Sequence, residues 1–169
     1  MALSLQFSGE SGLPTVNTQE LSCLAQNIYF EARAESIQGK TAVANVTRNR
    51  MQSADFPNTY CGVVKDGPVR ESWKTRKDAG LSKEQRIYVP RKHRCQFSWY
   101  CDGEKDIIWV QYMNGTPIEG NATGWRDSIN VALMVMHNEI KDNTGGALYY
   151  YAQNITYPYW AKEYKTIKV

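Results

Sequence analysis

Nowhere in the 169 residues does an apolar run approach the roughly 20 positions that a membrane span requires, so no spanning helix is expected. Residues Met1 to Pro14 contain no basic side chain and no sustained apolar core, which excludes a Sec signal peptide and implies no export address. Only two histidines and four cysteines are present, and no pair of cysteines has C-x-x-C spacing. His93, Cys95, Cys101 and Asp102 lie close in sequence, but their spacing misses the paired-ligand patterns of zinc sites, and no metal is assigned. Internal repeats, low-complexity tracts and linkers are absent too, which leaves one domain at this length. No motif calls for a nucleotide or a redox cofactor.

What is present describes a soluble globular chain. Hydrophobic residues make up 42% and charged residues 22%. The net charge is only +3, yet Val63 to Cys95 holds ten Lys/Arg against four acids. This segment, 63–95, reads as a basic surface insertion. Such a segment suits an anionic partner: nucleic acid, lipid or a wall polymer. Cys61, Cys95 and Cys101 can supply one disulfide or remain as buried thiols, and Cys23 reads as a small core residue.

Residues 1–16 read as a flexible arm, and 17–169 as a single domain. Asn17-x-x-Glu20 is a capping box that opens a helix, followed by Leu21, Leu24, Ala25, Ile28 and Ala32 at helical spacing. Ser36 caps a second helix reaching about Met51, with Val43, Val46 and Arg50 along one side. A third helix is expected from Asp127 or Ser128 to Ile140. Gln96 to Tyr100, Ala147 to Ala152 and Lys165 to Val169 read as strands. Several helices around a small antiparallel sheet make an α+β domain.

Glu31 stands out because it follows Ile28 by three positions and Leu24 by seven, on the apolar stripe of the first helix. A carboxylate there must be paired, hydrogen-bonded or protonated. Spacing favours a structural ion pair to Arg33, Arg48 or Arg50, while a general acid holding its proton near neutral pH fits the same position. Glu35 follows at i+4 and is expected to hold the next helix's first turn through its backbone N–H groups. Eleven tyrosines and five tryptophans suit a wet groove for a sugar polymer, although most of these rings must serve the core.

The stretch Leu24-Ala25-Gln26-Asn27-Ile28-Tyr29-Phe30-Glu31-Ala32-Arg33-Ala34-Glu35, continued by Gly39-Lys40-Thr41-Ala42-Val43-Ala44-Asn45-Val46 and Asn49-Arg50, resembles the SleB/CwlJ family of cell wall hydrolases. Phe56-Pro57, Cys61-Gly62-Val63-Val64, the run Cys95 to Gly103, Gly146 to Tyr151 and Pro158-Tyr159-Trp160-Ala161 follow in the family's order. The resemblance implies a lysozyme- or lytic-transglycosylase-like active-site helix and cleavage of the MurNAc-β-1,4-GlcNAc bond of peptidoglycan. It makes Glu31, the first acid of the family's E-A-R-G-E signature, the catalytic residue. Gln96, Ser98 and Trp99 become candidates for binding substrate, with Tyr150 and Glu35 beside them, and Phe97 should face the core.

Ala34 replaces the signature's glycine, and the chain stops at Lys168-Val169 without the family's I-G-N-H-like closing segment. The basic insertion resembles that of phage-encoded members. With no signal peptide, the expectation is a monomer that reaches the wall by phage-mediated release from the host cytoplasm or from the virion. Two rival readings stand beside lytic transglycosylation. One is a hydrolytic muramidase or glucosaminidase with Glu35 or Asp102 as second carboxylate. The other is a non-catalytic module binding wall polymer or nucleic acid through 63–95.

Overall fold

A computed structural model describes residues 16–108, 112–113, 116–117, 119–151 and 166–168. The expected arm at 1–16 falls almost wholly outside the described residues, as do Tyr157, Tyr159 and Trp160. Among the described residues, no helix is long and apolar enough to cross a membrane.

Asn17 caps α1 (Thr18–Ala32) by accepting from the N–H groups of Gln19 at 2.9 Å and Glu20 at 3.3 Å. Glu20 does not complete the expected box. Its Oε2 instead accepts from the backbone N–H of Tyr60 at 2.6 Å and of Cys61 at 3.3 Å, at the start of α3 (Tyr60–Val64). A carboxylate at that end meets unsatisfied donors and the positive pole of the helix.

Ser36 caps α2 (Ile37–Gln52) by accepting from Gly39 N–H at 3.2 Å, so Ser36, and not Glu35, holds that first turn. Glu35 is exposed and lies over Gly39, where an added Cβ would come within 2.9 Å of the Glu35 Cβ.

The fold is α+β. Helix α1 packs against α2, α3 and α5 (Glu119–Met136), with α2 also packed on α5. Leu24, Ile28, Ala44, Val131, Ala132 and Val135 fill the centre. Each fully buried leucine, isoleucine or valine among them contributes about 1.5–3 kcal/mol. Helix α5 begins earlier than the sequence pattern suggests. Gly124 weakens the helical signal, yet the helix runs through it, and a Cβ added there would meet Arg33 and Tyr29 at ordinary van der Waals distance. The helix also ends earlier, because Asn138 takes φ 57° and the Glu139 and Asn138 N–H groups bond back to Met134 and Val135 carbonyls. This left-handed cap stops the helix before Ile140.

Among the described residues the strands are short and form three separate pairs. β1 (Val69–Glu71) and β2 (Tyr88–Pro90) are antiparallel, with Arg70 opposite Val89. Between them lies the one-turn helix α4 (Trp73–Arg76). β3 (Tyr112–Met113) and β4 (Thr116–Pro117) form a second antiparallel pair. β5 (Tyr149–Tyr151) pairs with β6 (Thr166–Lys168) in parallel, Tyr150 opposite Ile167.

Covalent geometry supplies a disulfide the sequence reading allowed, Cys95–Cys101, and corrects two other readings, Cys23 as merely a core residue and the strand at Gln96 to Tyr100. Cys23 is joined to Cys61, clasping α1 to α3, and Cys95 is joined to Cys101, so all four cysteines are in disulfides. The expected strand at Gln96 to Tyr100 is a single 3-10 turn over Ser98–Cys101. Six residues of extended chain would span roughly 20 Å, whereas the Cys95 and Cys101 Cα atoms lie 6.1 Å apart. The basic segment is also shorter than its charge suggested, because Val63 and Val64 sit in α3 with their side chains in the core.

Candidate active site

Glu31, in the last turn of α1, opens into a cleft of about 300 Å³ lined also by Arg50, Gln96, Phe97, Ser98, Tyr149 and Tyr150. Helix α1 supplies the acid, α2 supplies Arg50, the disulfide-closed turn supplies Gln96 and Ser98, and β5 supplies the tyrosines. Gln96 and Ser98 are exposed on the cleft rim, whereas Phe97 is buried beneath it.

The Tyr150 hydroxyl donates to Glu31 Oε2 at 2.7 Å. Burial pushes the Glu31 carboxyl above its ordinary value, while the Tyr150 hydrogen bond and the Arg50 charge pull it back part of the way. Burial and the neighbouring Glu31 push the Tyr150 phenol well above the usual tyrosine range, so Tyr150 stays a proton donor. Among the described residues Glu31 forms no ion pair with Arg33, Arg48 or Arg50. The structural ion pair expected from spacing is replaced by a tyrosine hydrogen bond and a nearby guanidinium that is not bonded to Glu31.

Arg50 is the cleft residue whose role the sequence pattern obscured, since it continues the side of α2 that carries Val43 and Val46. Its Nε donates to the Leu148 carbonyl at 2.7 Å, and its guanidinium lies over Phe97 at 5.0 Å, Tyr149 at 5.3 Å and Phe56 at 5.5 Å. One terminal nitrogen, Nη1, is buried without a hydrogen-bond partner among the described residues. Burial draws the guanidinium below its ordinary value, and the nearby tyrosines, Glu31 and Asp66 oppose that.

The β5 tyrosines are set in place by polar side chains of α2. Asn49 Nδ2 donates to Asp142 Oδ2, Thr144 Oγ1 and the Ala147 carbonyl, and Arg48 donates to the Val135 carbonyl and Asn138. Asp142 in turn accepts from the Thr144 N–H at 2.8 Å and the Gly146 N–H at 2.6 Å. These bonds fix the turn from which β5 starts and so hold Tyr150 over Glu31.

Trp99 does not line the cleft. It is buried behind it, stacked on Phe30 at 4.6 Å, with Nε1–H donating to Asn27 Oδ1 at 3.0 Å. Asn27, itself buried in α1, donates to Thr47 of α2 at 3.1 Å. Trp99 therefore braces the helix that carries the acid. Glu35 and Asp102 also lie outside the cleft lining.

Ala34 sits in the turn after α1 without a positive φ, so the position does not require glycine's freedom. With Cys95 and Cys101 joined, the His93–Asp102 cluster offers no thiolate, and no metal-holding group occurs among the described residues.

Comparison with known proteins places this cleft in context. A spore cortex-lytic enzyme of Oceanobacillus iheyensis is 42% identical over 65 residues, covering 34% of this chain and 24% of that protein. The Bacillus subtilis enzyme of the same name is 42% identical over 48 residues, covering 28% of this chain and 16% of that protein. The matched segments thus span about a quarter or less of those relatives. The crystal structure of the catalytic domain of the Bacillus cereus SleB protein is 27% identical, covering 90% of this chain and 86% of that one, with a TM-score of 0.37. The family model described as Cell Wall Hydrolase matches residues 34–169, beginning three positions after Glu31. On that match, which takes in most of its length, the chain belongs to the cell wall hydrolase family.

Proposed function

We propose that the chain cleaves the MurNAc-β-1,4-GlcNAc bond of peptidoglycan as a lytic transglycosylase, with Glu31 as general acid and then general base. The observation that carries this reading is a lone acid: among the described residues lining the cleft, Glu31 is the one carboxylate, and burial favours its protonated form. Two-carboxylate hydrolysis needs a second acid about 5–9.5 Å away. Glu35 and Asp102, the sequence candidates for that part, do not line the cleft.

In the proposed reaction the Glu31 carboxyl gives its proton to the glycosidic oxygen as the bond to the muramic anomeric carbon breaks. The C6 hydroxyl oxygen of the same sugar then bonds to that carbon, and the Glu31 carboxylate takes the hydroxyl proton. The acid is regenerated, no water is consumed, and the products are a free C4 hydroxyl and a 1,6-anhydro sugar. Tyr150, donating to Oε2, leaves the other carboxyl oxygen to face the substrate. The nearby Arg50 charge favours the carboxylate that forms midway. Gln96 and Ser98 offer an amide and a hydroxyl at the rim to hold the acetamido groups.

Mass spectrometry of muropeptides released from purified peptidoglycan by the wild type and by Glu31→Gln tests this. Fragments lighter by one water than reducing muropeptides are expected, with release falling about 10²–10⁴-fold in the variant. Reducing ends would replace the mechanism with hydrolysis, and undiminished release by the variant would remove Glu31 from the reaction.

A further inference from the structure

Beside the acid cleft lies a second, larger cleft of about 520 Å³ lined by Arg70, Arg76, Arg91, Lys92 and Arg94. Its lining contains cations alone, and among the described residues none of the five is in an ion pair or donates a side-chain hydrogen bond. Resting on the reading of the chain as a peptidoglycan-cleaving enzyme, we propose that this cleft binds the carboxylates of the peptide stems carried by the muramic sugars. It would thereby make peptide-bearing glycan the preferred substrate.

The frame of the cleft is held in place from several sides. Arg70 lies on β1, Arg76 on α4, and the other three on the strap that follows β2. Arg86, held by Glu71 at 2.7 Å and by the Leu81 carbonyl, ties the intervening loop to β1. Backbone bonds anchor the strap at both ends: Arg91 N–H to the Pro68 carbonyl, His93 N–H to Cys101, and Gln96 N–H to Asp66, each at 2.9 Å. Five like charges gathered on a fixed frame are unfavourable to one another and await an anion. Guanidinium groups suit carboxylates because their paired N–H donors match the two oxygens.

Continuity with the acid cleft decides which anion. Arg94 lines the cationic cleft and Gln96 lines the acid cleft, so at most roughly 7 Å of chain separates the two walls. Peptide stems begin at the lactyl ether of the sugar whose bond is cut. Their carboxylates, two or three residues out, lie roughly 7–11 Å from that ether in an extended stem. The reach of such a stem is therefore comparable to the stretch of chain that separates the two walls. Trp73, 68% exposed on the neighbouring pocket that shares Arg70 and Arg76, adds an apolar surface for the stem's alkyl groups.

The test uses the full chain as Glu31→Gln, so that binding is read without cleavage, and purified sacculi in three forms. These are intact, with stem carboxylates amidated by carbodiimide and methylamine, and with phosphodiester polymers removed by hydrofluoric acid. We expect amidation to weaken binding at least about tenfold and acid treatment to leave it unchanged. Adding Arg70→Gln, Arg91→Gln and Arg94→Gln together should reproduce the amidation loss on intact sacculi, with an unaltered melting curve. In the wild-type background the same three changes should raise KM on peptide-bearing glycan at constant kcat and leave amidase-stripped glycan strands unaffected. Binding indifferent to amidation, lost on hydrofluoric acid treatment, or competed away by duplex DNA would overturn the proposal. Muropeptide release by the wild type is scored separately, so failure of the enzymatic reading is not confused with failure of this one.

Discussion

Glu31 is subject to opposed influences, and each can be removed singly. Burial raises its affinity for the proton, whereas the Tyr150 hydroxyl and the Arg50 charge lower it. If the protonated acid is the active form, the rate falls as pH rises through its pKa. Tyr150→Phe takes away a bond that favours the carboxylate, so the alkaline limb of kcat/KM should move to higher pH, measurable in a pH–rate profile. A limb that stays put would separate Tyr150 from the proton on Glu31. The same burial has a stability signature. A carboxyl whose folded pKa is raised makes its full contribution below the ordinary value of 4.5, and loses it as pH rises through the folded value. Glu31→Gln should therefore melt above the wild type at pH 8 and level with it at pH 4, by calorimetry. The sequence exposed this residue because an acid on the apolar stripe of an amphipathic helix violates a local rule. Arg50, which follows Val43 and Val46 along one side of α2, was harder to read because a basic residue near a helix C-terminus is ordinary.

At the scale of elements, the site depends on α2 gripping the turn before β5. Asp142 is the centre of that grip. Partial burial raises its carboxyl, but hydrogen bonds from Thr144, Gly146 and Asn49 outweigh this and hold it below the usual carboxylate range. Its contribution is present above that range and lost as pH falls through the depressed value. Asp142→Ala should cost about 1–3 kcal/mol in urea unfolding at pH 7 and lower kcat by freeing Tyr150, with the stability gap closing in acid. The starts of α1 and α2 were legible because Asn17 and Ser36 act on N–H groups two or three residues away. The turn at Gln96 to Tyr100 was not, because alternating apolar residues look extended until the Cys95–Cys101 link forbids it. The end of α5 could have been read from Asn138, a residue type that accepts the left-handed cap.

For the whole molecule, the clasp between Cys23 and Cys61 joins α1 to the segment after α2 across 38 residues. Cys23→Ser with Cys61→Ser should lower unfolding free energy by about 2–4 kcal/mol, and a reductant should then have little further effect on the α1–α3 contact, as read by hydrogen exchange. Pairings at this range were closed to sequence reading, because Cys23 shows only that it fits an apolar stripe. Among the described residues, the bonds that close the candidate cleft are of the same long-range kind. Tyr150 and Glu31 are 119 residues apart, and Arg50 meets Leu148 across 98. On a ribosome adding about 5–20 residues per second, the acid leaves the tunnel roughly 6–24 s before the tyrosine that orients it. A chain made only as far as α2 carries its Glu31 without the partner that completes the cleft, so the assembled cleft arrives long after its acid.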